Sequence, residues 1–309
     1  MSHRTYRFRS ETRTLTDRER SAASGSFIAL PDGVVHYELS GPAEGQPVVL
    51  VHGFSVPYYV WDPIYGPLAE AGYRVLRYDL YGRGLSDRPD VAYDRDLYDR
   101  QLLGLMQALA LERQVDLVGM SMGGPVVARF AQQHPDRVRK LVLIDPAGLP
   151  QKLPRLAGIV ELPWVGELIM DWFGDRLLLS SLDDDCLDRE RLAAYKASYR
   201  EQMQYAGFKR ALLSTLRHGL LKPIPEAYEA VGGQARSLLL IWGSEDKVVP
   251  VSLAQVAQTL MPQAQLHIVQ GAGHVPHYQR PDAVLPILLE FLRQDVSPAS
   301  AQETRSSRR

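Results

Sequence analysis

Six short apolar runs recur along the chain: Val48 to Val51, Arg74 to Tyr78, Val115 to Val118, Leu141 to Ile144, Leu238 to Trp242 and Leu266 to Val269. Most are separated by segments whose apolar residues repeat with a helical period. The runs are apolar at nearly every position rather than at alternate ones, which predicts strands covered on both faces; strands alternating with helices predict a parallel sheet between two helical layers. The helical intervals are Pro63 to Ala71, Asp94 to Leu111, Pro125 to His134, Val251 to Leu260 and Asp282 to Gln294. Several open with Pro or Asp near the first turn and stop before Gly or Pro, where helix ends belong. Ahead of them, Phe27 to Ser40 reads as two strands joined by Pro31-Asp32-Gly33, an antiparallel start to the sheet.

One interval breaks this rhythm. Between Ile144 and Leu238 the pattern is amphipathic and helical, in three stretches: Leu153 to Phe173, Asp188 to Tyr205 and Phe208 to Gly219. This predicts a helical subdomain inserted between two strands. The expected divisions are a basic lead-in (1–24), a core (25–147 and 222–295), a helical cap (148–221) and a Ser-, Ala- and Arg-rich tail (296–309) expected to be disordered.

Composition narrows the function classes. With 45% hydrophobic residues in 309, the chain reads as an ordinary soluble globular protein rather than a fibrous or disordered one. Its 35 basic and 36 acidic residues create no overall field that would make nucleic acid or an anionic membrane the main partner. A lone cysteine, Cys186, excludes an intrachain disulfide and a cysteine zinc cluster. No apolar segment reaches the roughly 18 residues of a membrane helix, and the N-terminus lacks a signal-peptide core, so the expectation is a cytoplasmic protein without a transmembrane segment. The arginines at 4, 7, 9, 13, 18 and 20 are interspersed with Glu11, Asp17 and Glu19, against either a transit peptide or a nucleic-acid arm; the lead-in is expected to be solvated or a short helix packed on the body.

The candidate chemistry centres on Val115 to Gly124, V-D-L-V-G-M-S-M-G-G, which sets Ser121 in G-x-S-x-G between a strand and a helix. A serine on that corner is pushed outward at the carboxyl end of the sheet, while Gly119 and Gly123 let backbone approach closely. Serine needs a base, a group that orients the base, and donors for the oxyanion. His274, in G-A-G-H after the last strand, is the candidate base and His277 its rival; His36, His134 and His218 fall in strands or helices and read as surface or packing residues. Asp246, in G-S-E-D-K-V-V-P after the preceding strand, is the candidate orienting acid, with Glu245 and Asp145 as alternatives. Oxyanion donors are expected from the backbone N–H groups of Met122 and of Phe54, the latter in H-G-F, where His52 is expected to brace the loop. His274 and His277 lack a third ligand at metal spacing, so neither a metal nor a cofactor is expected.

Taken together, H-G-F-S (His52 to Ser55), D-L-Y-G-R-G-L-S-D (Asp79 to Asp87), G-M-S-M-G-G, G-S-E-D-K-V-V-P and G-A-G-H resemble, in order, an α/β-hydrolase-fold serine hydrolase of the esterase and lipase type. The resemblance implies a mostly parallel eight-stranded sheet with helices on both faces and an inserted helical cap, and it makes Asp79 to Asp87 a supporting turn rather than a phosphate loop. Relatives with an aspartate nucleophile, the haloalkane dehalogenases and epoxide hydrolases, do not fit Ser121. Carbon–carbon hydrolases of ring-fission products keep the serine but usually show H-G-x-G-P-G and a tryptophan soon after the histidine; here the residues are H-G-F-S-V-P and Val275-Pro276. The expectation is therefore a carboxylesterase or monoacylglycerol-lipase-like enzyme with a small lipophilic ester substrate. Leu162, Trp164, Met170, Trp172, Phe173, Met203, Tyr205 and Phe208 are candidate lining of an acyl pocket. The alternatives are carbon–carbon bond hydrolysis and a non-catalytic binding protein of the same fold.

Overall fold

The computed structural model describes residues 6–151 and 158–294. The strands are β1 (Ser26–Leu30), β2 (Gly33–Ser40), β3 (Pro47–Val51), β4 (Arg74–Tyr78), β5 (Val115–Met120), β6 (Val138–Ile144), β7 (Ser237–Gly243) and β8 (Gln265–Val269). They form one sheet in the order β1-β2-β4-β3-β5-β6-β7-β8. β2 runs antiparallel to both β1 and β4, and all other pairs are parallel.

The continuous apolar character of the central strands is explained by two cores, one on each face. Val49, Val51, Leu117, Leu141, Leu143 and Leu240 point to one, and Val48, Leu50, Val118, Val142, Ile144 and Ile241 to the other. Each fully buried aliphatic contributes on the order of 1.5 to 3 kcal/mol. Helices Arg95–Ala108, Gly123–Gln133, Pro225–Gly232 and Leu253–Leu260 cover the first face, whereas Asp62–Glu70 and Pro281–Arg293 cover the second. Asp94 starts the first of these as a cap, its carboxylate accepting the Leu97 N–H at 2.9 Å.

Among the described residues between β6 and β7 lie five α-helices: Val165–Trp172, Gly174–Asp185, Arg189–Gln202, Phe208–Arg217 and Pro225–Gly232. The second and fifth are absent from the sequence reading. Gly174–Asp185 opens on glycine and ends on Asp183, Asp184 and Asp185, acids at the end where the helix dipole disfavours them. Lys196 and Lys247 offset two of these charges, at 2.5 Å from Asp183 and 3.5 Å from Asp184. Of the stretch read as helical from Leu153 to Phe173, residues 152–157 lie outside the described residues, and the helix starts only at Val165, after Trp164 at φ +66°.

From Tyr6 onward the lead-in packs on the body. Phe8 and Glu11 are buried. The Glu11 carboxylate accepts the backbone N–H groups of Gly207 (2.8 Å) and Lys209 (2.7 Å), and Arg9 pairs with Asp171 at 2.9 Å. A short helix, Asp17–Ala22, follows, and its Arg20 pairs with Asp87. Residues 296–309, expected to form a disordered tail, lie outside the described residues. No helix among the described residues is long and apolar enough to cross a membrane.

The chain order reverses between β3 and β5, and in open α/β sheets the crevice at the carboxyl ends of such strands is where ligands bind.

Candidate active site

Ser121 occupies the corner between β5 and helix Gly123–Gln133 at φ +52°. For a residue with a Cβ, that left-handed conformation costs roughly 1 to 2 kcal/mol. The surroundings hold it there: its N–H donates to the Ile144 carbonyl (2.9 Å), and its own carbonyl accepts from Gly124 (2.9 Å) and Ala147 (3.0 Å). Glycine is required on either side. A Cβ on Gly119 would stand 2.5 Å from the Gly123 oxygen, and one on Gly123 would stand 2.2 Å from the Val51 oxygen.

His274 follows β8, and its Nδ1 donates to Asp246 Oδ2 at 2.8 Å. Asp246 Oδ1 accepts the N–H groups of Val248 (2.7 Å) and Val249 (2.9 Å), which fixes the carboxylate behind the ring. Burial opposes the imidazolium, but the Asp246 charge and hydrogen bond outweigh it and raise the His274 pKa above the ordinary 6.5. Glu245, the neighbouring alternative, is exposed. The rival His277 is fully buried, its ring lies on Trp61 with centroids 4.4 Å apart, and burial pushes its pKa down to about 3. It therefore stays neutral as a packing residue. His52 braces its loop: its Nε2 accepts the Leu80 N–H at 2.9 Å and its Nδ1 donates to the Gly53 carbonyl at 2.9 Å.

Asp145, after β6, stands beside this pair. One polar atom from each of Asp145, Asp246 and His274 lies within 4.8 Å of the others. Asp145 Oδ1 accepts the Gly243 N–H at 2.9 Å. Burial, reinforced by the Asp246 charge, raises the Asp145 pKa well above the ordinary carboxylate value, which disfavours a second negative charge beside Asp246. The three donors have metal-like spacing, but the Asp246 and His274 atoms are hydrogen-bonded to each other rather than open to an ion.

The supporting turn holds two residues that motif reasoning passed over. Arg83 is fully buried and donates to the Phe54 carbonyl (2.8 Å), the Tyr81 carbonyl (3.1 Å) and Thr215 Oγ1 (2.9 Å), tying the H-G-F loop to the inserted helices. Asp79 accepts from His36 Nδ1 (2.8 Å), the Tyr58 N–H (2.9 Å) and the Leu85 N–H (2.9 Å). A buried charge amid loop backbone was the available signal for both. Arg83→Met removes these bonds and a further one to the Tyr98 hydroxyl; with an unmade buried hydrogen bond costing about 1 to 3 kcal/mol, thermal unfolding should report a loss of at least about 3 kcal/mol.

Ser121, His274, Phe54 and Met170 border one cavity of about 330 Å³. A larger cavity, about 490 Å³, lies against His36, Tyr58 and Asp79 and touches neither Ser121 nor His274. The expected acyl lining is largely wrong. Met170 does line the cavity, but Trp164, Trp172 and Phe173 are 70%, 65% and 62% exposed on the outer surface, as is Leu162. Met203, Tyr205 and Phe208 are buried and do not line it. Helix periodicity marks an apolar face without saying what that face meets. Leu177, Leu178 and Asp185 from helix Gly174–Asp185, which the sequence reading lacks, and Tyr195 from helix Arg189–Gln202 take their place. A hydroxyl on a strained corner, an imidazole–carboxylate pair and a loop with backbone donors around one cavity form the set that nucleophilic acyl transfer requires.

The model of the alpha/beta hydrolase family matches residues 48–287. The chain belongs to the alpha/beta hydrolase family, and it is a hydrolase of that fold. A 2-hydroxy-6-oxononadienedioate/2-hydroxy-6-oxononatrienedioate hydrolase from Comamonas testosteroni is 30% identical over 262 residues, 82% of this chain and 90% of that protein. Among solved structures, a meta-cleavage product hydrolase from Pseudomonas fluorescens is 26% identical with a TM-score of 0.72, covering 87% of this chain and 97% of that one. A thermophilic esterase from Thermogutta terrifontis, 24% identical with a TM-score of 0.73 over 88% of this chain and 98% of that one, shares the fold.

Proposed function

We propose that this hydrolase cleaves neutral carboxylic esters of lipophilic acids through an acyl-enzyme, in the manner of a carboxylesterase, with the helices between β6 and β7 as its cap. His274 takes the proton of Ser121 as the hydroxyl attacks the ester carbonyl, Asp246 holds the imidazole and stabilises its charge, and the N–H groups of Met122 and Phe54 receive the oxyanion. His274 then protonates the leaving alcohol, and water repeats the sequence on the acyl-enzyme.

The observation that carries the choice of ester is the character of the cavity. Its lining is mainly apolar and, among the described residues, includes neither lysine nor arginine but does include Asp185. Burial pushes the Asp185 pKa up to about 6, so near neutral pH it is chiefly a carboxylate at the cavity wall. Placement at the carboxyl end of helix Gly174–Asp185 works in the same direction, because the helix dipole disfavours its charge. An anionic substrate would meet that charge without a cation to offset it.

The similar hydrolases whose names specify dienoates or dienedioates favour a second reading, hydrolysis of a carbon–carbon bond in a ring-fission product. Such substrates carry a carboxylate, and the same cavity argues against them. The test is a substrate panel at pH 8. The neutral p-nitrophenyl butyrate should exceed both the anionic p-nitrophenyl hemisuccinate and a 2-hydroxy-6-oxo-dienoate in kcat/KM by at least about tenfold, equivalent to about 1.4 kcal/mol. Preference for the dienoate would replace the ester reading with the second one. For Asp185→Asn the butyrate-to-hemisuccinate ratio should fall toward unity, and for the wild type it should fall as pH drops below about 6 and Asp185 gains its proton. The ratio cancels the titration of His274, which acts on both substrates alike.

That titration gives a separate expectation. The base must be neutral, so kcat/KM for butyrate should fall as pH decreases through the raised pKa of His274, with a midpoint above 6.5. In Asp246→Asn the largest stabilising charge is gone while burial persists and only the Asp185 charge still favours the imidazolium, so the midpoint of the residual activity should move down from the wild-type value.

A further inference from the structure

Eleven large apolar side chains are conspicuously exposed among the described residues, and eight of them fall between Ile159 and Leu177. They lie at helical spacing. Trp164, Leu168 and Trp172 recur every four residues along and just ahead of one helix, and Phe173 and Leu177 are one turn apart, joined by the Leu177 N–H donating to the Phe173 carbonyl at 2.9 Å. Patches of this kind on a monomer mark an interaction site rather than incidental surface. Two further facts say what covers it.

The patch reaches the mouth of the catalytic cavity. Leu177 is 51% exposed and also lines the cavity beside Ser121; Val248, 43% exposed, lines it as well. Whatever covers the patch therefore meets the entrance through which substrate passes, and a folded partner or a second copy of this chain would cover that entrance. In addition, the patch carries no uncompensated acid. Each of the four acidic residues within it has a cationic partner: Glu161 with Lys222 (3.4 Å), Glu167 with Arg217 (2.6 Å), Asp171 with Arg9 (2.9 Å) and Asp175 with Lys209 (2.7 Å). The guanidinium of Arg9 lies 3.7 Å over the Trp172 ring, and Arg176 is exposed between Phe173 and Leu177. Tryptophan and phenylalanine beside arginines, with no free negative charge, suit the boundary between lipid headgroups and acyl chains.

We propose that the outer face of helix Val165–Trp172 and the start of helix Gly174–Asp185 dock on a phospholipid surface, so that the cavity mouth opens at the membrane. The balanced net charge of the whole chain does not oppose this, because attachment rests on the local patch and on apolar burial. Docking goes beyond the ester reading and does not require turnover.

Flotation with phosphatidylcholine vesicles and with phosphatidylcholine–phosphatidylserine vesicles tests it, using the wild type, Ser121→Ala, and a combined Trp164→Ser, Trp172→Ser, Phe173→Ser variant. Ser121→Ala should match the wild type with either vesicle, both proteins binding more tightly where phosphatidylserine is present, and the combined variant should lose at least about tenfold in partitioning, about 1.4 kcal/mol. Because Trp61 and Trp242 are fully buried, a blue shift of tryptophan emission on adding vesicles reports Trp164 and Trp172. The combined variant should keep wild-type thermal stability, which shows that the loss is not misfolding. Equal flotation of the combined variant, or no flotation of the wild type, overturns the proposal. So does a wild-type dimer in light scattering that the combined variant lacks, which would give the patch to a second copy. Since Ser121→Ala is read by binding alone, failure of the ester reading would leave this result unaffected.

Discussion

Replacing Ser121 by alanine should lower kcat on p-nitrophenyl butyrate by roughly 10⁴- to 10⁶-fold, the loss seen when a nucleophile is removed from a serine hydrolase that keeps its oxyanion donors. The fold should survive. Ser121 is held by its backbone, through the Ile144 carbonyl and the Gly124 and Ala147 N–H groups, and alanine leaves those bonds in place. The φ of +52° strains alanine about as much as serine. Melting of the variant should stay within about 2 °C of the wild type, since each kcal/mol shifts a chain of this size by a few degrees at most. A variant that retains a tenth of the activity would remove Ser121 from the chemistry.

Gly123→Ala should destabilise the nucleophile corner severely. The new Cβ would stand 2.2 Å from the Val51 carbonyl oxygen and 2.8 Å from that of His52. Both are backbone atoms at the end of β3, so no side chain can rotate away; the helix must retreat from the sheet or the strand must bend. Overpacking of this severity exceeds the usual 1 to 3 kcal/mol, and a loss of about 3 to 5 kcal/mol corresponds to a drop in melting temperature on the order of 10 °C. Activity should fall further than stability explains, because retreat of the helix carries the Met122 N–H away from the H-G-F loop. An alanine variant with unchanged melting temperature and rate would mean that the corner has more room than these distances allow.

Much of the framework can be read before any coordinates. The six apolar runs correspond to β3 through β8 because strands covered on both faces must be apolar at every position, and the two cores above and below them supply the reason. The positions of Ser121, Asp246 and His274 follow from those strands: each is on the loop at a carboxyl end, and chain order alone brings them to one edge. The inserted helices were less legible. Trp164, Trp172 and Phe173 look like pocket residues by composition, yet their helix turns them outward, and Gly174–Asp185, with its adverse acids, did not read as a helix at all. Contacts with distant lysines and with the His274 loop stabilise it, and long-range contacts leave no periodic signal. Asp145 illustrates the same limit. As a residue after a strand it is indistinguishable from an orienting acid; only its contacts, an Oδ1 bonded to the Gly243 N–H and no hydrogen bond to His274, set it apart from Asp246.

Arg83 shows why the supporting turn matters to function. Its bonds to the Phe54 carbonyl and to Thr215 join the loop expected to supply an oxyanion donor to a helix of the segment between β6 and β7. Asp185 joins that segment to the base loop, its carbonyl accepting the Val275 N–H at 3.2 Å next to His274. Among the described residues, the one acidic residue of the cavity lining apart from the reacting groups thus comes from between β6 and β7, while the rest of the wall is shared with the loops after β3, β5, β7 and β8.

The central claim, that Ser121 is a nucleophile activated by His274, is tested most directly by intact-mass analysis after exposure to a fluorophosphonate, followed by peptide mapping. The expected result is a single adduct on Ser121, formed rapidly by the wild type, slowly by His274→Ala and not at all by Ser121→Ala. An unlabelled wild type, or an adduct that persists in Ser121→Ala, would contradict it.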